Sequence, residues 1–153
     1  MQFSVAALTA ADFDEWVVLR GQLWPHHPIE EHRSDAQELL GRGERAAVFV
    51  ARASGALIGF AEATLRVDYV NGTSTSPVTF LEGLYVSPRR RRNGVARALC
   101  KAVERWGSRA GCTEFASDAL AENEEGHAVH EALGFREIER VVYFLKPIDL
   151  DAT

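Results

Sequence analysis

The spacing of apolar and polar positions changes several times along the chain, and each change marks a new element. Residues 2–8 alternate loosely and predict a first strand. Thr9, with Asp12 three residues later, is typical of a helix N-cap, and the proline-containing stretch 24–28 ends the helix that follows. A second helix is expected from Glu30 to Leu40.

The middle of the chain has the spacing of strands. Ala46–Ala53 and Leu57–Val67 flank the tight turn Ser54-Gly55 and predict a hairpin. Residues 68–77 are rich in turn formers and predict a loop. Val78–Val86 is strongly apolar and is expected to be a central strand, which Pro88 terminates.

The last third returns to helical spacing. Gly94–Arg109 and Asn123–Leu133 predict helices, and Phe115–Asp118 and Arg140–Lys146 predict strands. The order β-α-α-β-β-β-α-β-α-β predicts an α/β fold, with a mixed sheet covered by helices. No linker or repeat interrupts the pattern, so we expect one domain over residues 1–153.

Composition narrows the class of protein. The net charge is −5, from 17 basic and 22 acidic side chains, which argues against nucleic acid as a partner and suits a cationic ligand. We find neither an apolar run of membrane-spanning length nor a secretion signal, and therefore expect a cytoplasmic protein without a membrane partner. Cys100 and Cys112 lack metal-ligand spacing and are expected to be free thiols, with no metal bound.

One segment carries recognisable chemistry, because a buried strand, a basic loop and a glycine-led helix follow one another between Phe80 and Leu99. Unpaired N–H groups at a helix N-terminus attract anions, and Gly94 allows close approach of the backbone. Arg89–Arg92 add positive charge for phosphate oxygens. These features predict a phosphate or pyrophosphate cradle, although the glycine spacing matches neither the P-loop nor the dinucleotide-binding turn.

The six residues Arg91–Ala96 resemble the Arg/Gln-x-x-Gly-x-Gly/Ala signature of the GCN5-related N-acetyltransferases. The resemblance extends to Asn123 and to the Ala-Leu-Gly-Phe sequence at 132–135. Further segments are similar to the aminoglycoside 6′-N-acetyltransferases of that superfamily: Leu23–Pro25, His27-Pro28, Asp68–Gly72, Ser76–Val78, Phe80–Gly83, Arg105–Gly107 and Ala116–Asp118.

The resemblance implies a mostly antiparallel sheet with two splayed strands, and acetyl-CoA as the acetyl donor. It places coenzyme A along the backbone of one strand end and in the phosphate cradle. The implied coenzyme-binding residues are Leu84, Tyr85, Val86, Arg91, Arg92, Asn93, Gly94, Val95, Ala96 and Asn123. The side chains of Leu84 and Val86 are expected to belong to the core, and Asn123 is alternatively a simple N-cap.

The implied reaction is direct attack of a primary amine, the 6′-amine of an aminoglycoside, on the thioester. An alkyl amine has a pKa near ~10.4 and arrives as an ammonium ion. Glu82 and Asp118 lie in otherwise apolar strands and are the candidates to bind this cation and remove its proton; a structural salt bridge or a solvated strand end is the alternative for each. The resemblance implies these acceptor-binding residues: Trp24, His27, Asp68, Tyr69, Glu82, Asp118 and Glu139.

One position departs from the superfamily pattern. Many members have a tyrosine five residues before the Phe of the Gly-Phe pair, and it acts as an acid toward the leaving thiolate. This chain has His130 there. His130 is able to donate a proton, Tyr143 is another candidate acid, and a thiolate also leaves without an acid; a surface histidine without a role is the remaining alternative.

Three questions stay open at this point. The acceptor is alternatively a polyamine, an amino sugar or a peptide, since the coenzyme motif is common to all of these activities. A non-catalytic acyl-CoA-binding module is the rival from another class of protein. The apolar strand predicted at 140–146 is suited to an interface and leads us to expect a homodimer, with a strand covered within its own chain as the alternative.

Overall fold

A computed structural model describes residues 1–151. The strands are β1 (Ser4–Ala7), β2 (Ala46–Ala53), β3 (Ala56–Arg66), β4 (Val78–Val86) and β5 (Phe115–Ser117). The α-helices are α1 (Phe13–Leu23), α2 (Ile29–Leu40), α3 (Val95–Arg109) and α4 (Glu124–Ala132). Each of these elements lies where the hydrophobic pattern predicts it, within a few residues at each end.

The five strands form one sheet in the order β1-β2-β3-β4-β5. Neighbouring strands are antiparallel except for β4 and β5, which run parallel. The parallel ladder is short and ends where Leu81 pairs with Ser117. β4 continues to Val86 paired only with β3, so a cleft opens on its other side. The expected mixed, mostly antiparallel sheet with splayed strands is confirmed.

Helices cover both faces of the sheet. On one face, Val95, Leu99 and Val103 recur at four-residue spacing along α3 and are fully buried against the small side chains of β2 and β3. On the other face, Trp16 and Val17 of α1 are fully buried, together with Ala36 and Leu39 of α2. The sheet is therefore held between two apolar layers, with β3 as its central strand and β4 between β3 and the edge strand β5.

The prediction of a strand at 140–146 is wrong. Within residues 1–151 this segment pairs with no strand edge, and the side chains of Tyr143, Phe144 and Leu145 are 87%, 93% and 96% exposed. The residues have high strand propensity, but a strand forms only where a neighbouring edge supplies hydrogen-bond partners and packing. The segment leaves the domain after Ile138, whose side chain packs on Gly72.

The start of the first helix follows its local chemistry. Thr9 and Asp12 form a capping box that opens a short 3-10 turn before α1. The hydrogen bonds from Thr9 lower the pKa of the Asp12 carboxyl, and the positive charge of Arg52 lowers it further.

None of the helices within residues 1–151 is long and apolar enough to cross a membrane.

Candidate active site

The loop between β4 and α3 is shaped by two left-handed backbone positions. Arg92 has a φ of 63° and Gly94 a φ of 82°. Gly94 is the N-cap of α3, so the N–H groups of the first helical turn face outward without intrahelical partners. A side chain at position 94 would strain this turn, which explains why the motif has glycine there.

Arg91 ties this loop to the end of β4. Its Nε donates a hydrogen bond to the Val86 carbonyl oxygen at 2.8 Å, and its guanidinium carbon lies 5.7 Å from the centre of the Tyr85 ring. The Asn93 side chain donates to the Arg91 carbonyl oxygen at 3.1 Å. The loop thus presents a fixed turn, a helix N-terminus and exposed arginines, which together fit a pyrophosphate group.

The cleft beside β4 leads from the phosphate cradle toward the centre of the sheet. The Tyr85 side chain is buried and donates a hydrogen bond from its hydroxyl to Gln22 at 2.9 Å. Val86 belongs to the core, whereas Leu84 is only partly buried. Tyr85 and Val86 therefore have structural side chains, and any contact that they make with a ligand in the cleft is made by their backbone.

A second cleft, of about 1000 Å³, lies on the α1–α2 side of β3 and β4. Charged groups of both signs line it, including five carboxylates and four guanidinium groups. The lining residues are Arg20, Trp24, Asp35, Glu38, Leu39, Gly41, Arg42, Arg45, Glu62, Thr64, Leu65, Arg66, Val67, Asp68, Tyr69 and Glu82. Four residues expected to bind the acceptor, Trp24, Asp68, Tyr69 and Glu82, are therefore brought together here.

Glu82 projects from β4 into this second cleft. Its carboxylate accepts a hydrogen bond from the Thr64 hydroxyl at 2.6 Å and bonds from Arg66 at 2.9 and 3.0 Å. Both partners belong to β3, the neighbouring antiparallel strand. The salt bridge that was the alternative for Glu82 is thus present, but it lies in the cleft with both partners on the cleft wall.

A second carboxylate, that of Glu62, lies deeper in the same wall. Its side chain is paired with Arg20 and accepts a hydrogen bond from the Trp16 indole nitrogen at 3.0 Å. Burial raises the pKa of Glu62, while the charge and the hydrogen bond of Arg20 and the bond from Trp16 oppose this rise. A paired charge at this depth fixes the floor of the cleft.

Trp24 forms the side of the cleft next to Glu82. Its ring is stacked on His32, with centroids 6.4 Å apart and planes 16° apart, and the Arg20 guanidinium carbon lies 5.0 Å from its centre. His32 is buried and bonds the Trp24 carbonyl oxygen at 2.9 Å. His27 packs edge-on against His32 but is itself exposed and paired with Glu31 at 3.1 Å. Trp24 is therefore fixed, and His27 contacts this wall through the His32 ring and through its backbone N–H, which donates to the Trp24 carbonyl oxygen at 3.4 Å.

Residues 68–77, the loop expected to complete the acceptor site, are held in place by hydrogen bonds to Glu114. Glu114 accepts hydrogen bonds from the backbone of Ser74 and Thr75, at 3.0 and 2.8 Å, and from the Thr75 hydroxyl. These bonds lower the pKa of Glu114, the Thr75 hydroxyl most of all. Tyr69 remains 75% exposed at the mouth of the cleft, where its ring is available to a ligand.

Besides His27, two residues expected to bind the acceptor, Asp118 and Glu139, do not line this cleft, and neither does Asn123, which was expected to bind the coenzyme. Asp118 is exposed just beyond the end of β5, Glu139 is exposed in the C-terminal segment, and Asn123 caps α4 by accepting a hydrogen bond from the Gly126 N–H at 3.0 Å. For Asn123 the N-cap alternative is the contact that the structure shows. Roles of these three residues in binding a ligand stay predictions.

His130 faces the point where β4 and β5 separate. Its Nε2 lies 2.8 Å from the Ser117 hydroxyl, and its Nδ1 lies 2.6 Å from the Gly126 carbonyl oxygen. The ring also packs edge-on against Phe135, with centroids 5.3 Å apart. His130 is therefore held by three contacts and is not a surface histidine without partners.

Sequence reasoning missed the polar wall opposite Glu82. Glu62, Thr64 and Arg66 occupy alternate positions of β3 and all line the cleft. Polar residues at every second position of an otherwise buried strand indicate one polar face, and this alternation was the signal available. No three His, Cys, Asp or Glu side chains among residues 1–151 are grouped so as to hold a metal ion.

A helix N-terminus suited to a pyrophosphate, a splayed strand and an adjoining cleft lined by charged groups of both signs are the arrangement of an acyl-CoA-dependent transferase. The family model described as "Acetyltransferase (GNAT) family" matches residues 8–135. The chain belongs to this acetyltransferase family.

Relatives of known activity are similar over nearly the whole chain. The aminoglycoside N(6′)-acetyltransferase type 1 of Salmonella typhimurium is 48% identical over 142 residues, covering 93% of this chain and 97% of that protein. The enzyme of the same name from Acinetobacter baumannii is 43% identical over 145 residues, covering 95% and 99%. A solved structure of AAC(6′)-Iy with the bisubstrate analog CoA-S-monomethyl-acetylneamine has a TM-score of 0.90 at 45% identity, covering 97% of this chain and 100% of that one.

Proposed function

We propose that this protein transfers an acetyl group from acetyl-CoA to the 6′-amino group of an aminoglycoside, in a single acetyltransferase domain. The observation that carries the proposal is the position of Glu82. This carboxylate lies four residues before Val86 on the same strand, so one strand joins the carboxylate-lined cleft to the phosphate cradle. The names of the relatives at 43% to 48% identity support the same acceptor.

The coenzyme is held by the cradle and by the splayed strand. The N–H groups at the start of α3 and the loop Arg91–Gly94 bind its pyrophosphate, and the backbone of Leu84–Val86 binds its pantetheine arm. Acetyl-CoA supplies the thioester on which the amine acts. A backbone N–H beside the thioester oxygen stabilises the negative charge that develops there.

The acceptor enters as a polycation. Five carboxylates and four guanidinium groups line its cleft, and Trp24 and Tyr69 add flat surfaces for sugar rings. Glu82 receives one ammonium group near the thioester and accepts its proton, directly or through water. The freed amine nitrogen bonds the acetyl carbon and loses a second proton to water, and the carbon–sulfur bond breaks with its electron pair on the coenzyme sulfur.

The test is a panel of acceptors with acetyl-CoA, followed by the release of free thiol. Kanamycin and tobramycin carry a 6′-amine and are expected to react, whereas an aminoglycoside with a 6′-hydroxyl is not. Spermidine and a lysine peptide test the other acceptor classes. Turnover only with spermidine or the peptide would overturn the aminoglycoside assignment and keep the acetyltransferase. Coenzyme binding without turnover of any acceptor would support the binding-module alternative.

We propose further that the protein is a homodimer in which the C-terminal segment 138–150 packs on a second copy. Its run Val142–Leu145 is almost wholly exposed in the described chain. Consecutive apolar residues of this kind are typical of a strand buried on both faces. A closed two-fold dimer hides such a segment on each copy at the same time.

Sedimentation equilibrium tests the dimer. The expected mass is twice the chain mass of 16.9 kDa, and Phe144→Glu is expected to reduce it toward a single chain. Leu120→Glu is the control, because Leu120 is also exposed but lies outside the segment. A wild-type protein with the mass of one chain would contradict the dimer.

We also place the enzyme in the cytoplasm. Cys100 and Cys112 are both free thiols, as is usual for proteins of a reducing compartment. Fractionation of cells producing the protein tests this location, and recovery in a secreted fraction would contradict it.

A further inference from the structure

Where β4 and β5 separate, the side chains of Ser117 and His130 are hydrogen-bonded to each other. Neither residue lines the second cleft. Leu81 and Ser117 form the last pair of the parallel ladder. β4 then continues to Glu82 and Val86 without β5. In open α/β sheets, ligands bind in the crevice where neighbouring strands part at their carboxyl ends. Ser117 therefore lies at the apex of the cleft that leads to the phosphate cradle.

The hydrogen bonds of His130 fix its tautomer. The Gly126 carbonyl oxygen, 2.6 Å from Nδ1, can only accept a hydrogen bond, so Nδ1 carries a hydrogen. Nε2 is then the nitrogen that faces Ser117, 2.8 Å from its hydroxyl, and the same hydroxyl donates only a long hydrogen bond of 3.4 Å, to the Leu81 carbonyl oxygen. The Asn123 cap holds the N–H of Gly126, and Phe135 packs against the ring, so the helix and ring are held in this orientation.

On the basis of the acetyl transfer proposed above, we propose that Ser117 is a catalytic residue that protonates the leaving thiolate, with His130 acting through it as a positioning and proton-supplying residue. His130 then replaces the acid that other members of the superfamily have as tyrosine. The other candidate acid, Tyr143, is 87% exposed in the C-terminal segment of the described chain, whereas Ser117 and His130 are partly buried.

As the amine nitrogen bonds the acetyl carbon it gives up one proton to water, and the carbon–sulfur bond breaks with its electron pair on sulfur. The sulfur takes the hydroxyl proton of Ser117, and Ser117 takes the Nε2 proton of the His130 imidazolium. His130 is left neutral with its hydrogen on Nδ1, the form that the Gly126 carbonyl stabilises, and it regains a proton from water.

The first test measures the single-turnover rate of acetyl transfer at saturating acetyl-CoA, with an acceptor that the wild-type enzyme uses. Ser117→Ala is expected to slow this rate by about 10- to 100-fold. This is at or below the bottom of the range usual for a positioned general acid, because a thiolate leaves readily without protonation. His130→Gln is expected to have a similar effect. Ser117→Thr keeps the hydroxyl on a strand residue and is expected to retain the rate within about threefold.

The second readout separates proton transfer from a structural role. The wild-type rate is expected to fall in deuterium oxide, and this isotope effect is expected to disappear in Ser117→Ala. The variant Ser117→Ala/His130→Gln is expected to be no slower than either single variant, because the two groups act as one unit. Melting temperature and coenzyme affinity, both unchanged, confirm that the variants fold.

Two results would overturn the inference while leaving the acetyltransferase intact. One is a Ser117→Ala enzyme within twofold of the wild-type rate. The other is an isotope effect of equal size in wild type and variant. A wild-type enzyme that accepts only spermidine or a peptide would instead overturn the proposed acceptor, and the same variants would then be measured with that acceptor.

Discussion

Gly83 leaves no room for a side chain between Glu82 and the wall of the acceptor cleft. A Cβ at this position would lie 2.6 Å from Cη2 and 3.0 Å from Cζ2 of Trp24. Ordinary carbon contacts are about 3.5 Å or longer, so Gly83→Ala displaces the indole by about 1 Å. The φ of Gly83 is not positive, and the effect is therefore steric.

The indole has little freedom to yield. His32 stacks on one side of it, and Arg20, paired with Glu62, lies over its ring. Overpacking of this kind costs about 1–3 kcal/mol, and we expect the lower end because Trp24 is only partly buried. A cost of about 1 kcal/mol lowers the melting temperature of a chain of this size by about 2–4 °C.

The effect on activity is expected to be larger than the effect on stability. A displacement of about 1 Å in a substrate-positioning group can cost up to ~100-fold, so we expect kcat/KM for kanamycin to fall by about tenfold or more. Trp24→Phe is the matched background, since phenylalanine lacks Cη2 and Cζ2. Gly83→Ala is expected to have a much smaller effect in that background. An equal loss of kcat/KM in both backgrounds, or no loss in either, would refute the steric reasoning.

Three further predictions concern stability and reactivity. Burial raises the pKa of the Cys100 thiol to about 12. A disulfide reagent at pH 8 is therefore expected to label only Cys112 in the native protein and both thiols after unfolding. Rapid labelling of both thiols in the native protein would contradict the burial of Cys100. The fold lowers the pKa of Glu114 from 4.5, so the ionised carboxylate stabilises the protein above pH 4.5, and this stabilisation is lost as the pH falls through the lower pKa of the folded state. Glu114→Gln is therefore expected to have a lower melting temperature than wild type near pH 7 and the same melting temperature in strong acid. A difference in melting temperature that does not change with pH would contradict this linkage. A methyl group at Gly107 would collide with Thr79, and Gly107→Ala is expected to cost about 1–3 kcal/mol in urea unfolding, whereas an unchanged midpoint would show that α3 shifts freely on β4.

The elements of the fold were predictable because each has a local signal. The apolar spacing of α3, with Val95, Leu99 and Val103 on one face, identifies a helix without any knowledge of its neighbours. The phosphate cradle was predictable for the same reason, since its loop and helix N-terminus are contiguous in the sequence. The resemblance to a known superfamily supplied what local patterns do not, the splay of β4 and β5.

The partners of the charged residues were not predictable from local patterns. Glu82 and Arg66 are brought together by the register of an antiparallel pair that is offset by a bulge between Glu62 and Ala63. A shift of one residue would place Arg66 on the other face of the sheet. The prediction of a strand at 140–146 was wrong for a related reason. Strand propensity in a sequence does not say which strand edge, or which copy of the chain, would provide the neighbouring strand.

The most direct test of the account is the position of the acetyl group in the product. Kanamycin carries several amines, and only one of them is the 6′-amine. Nuclear magnetic resonance of the product formed with acetyl-CoA is predicted to show one acetyl group, on the 6′ nitrogen, with the other amines unmodified. Acetylation at a different nitrogen, or a mixture of positions, would contradict the proposal that a single amine binds beside Glu82 and the thioester.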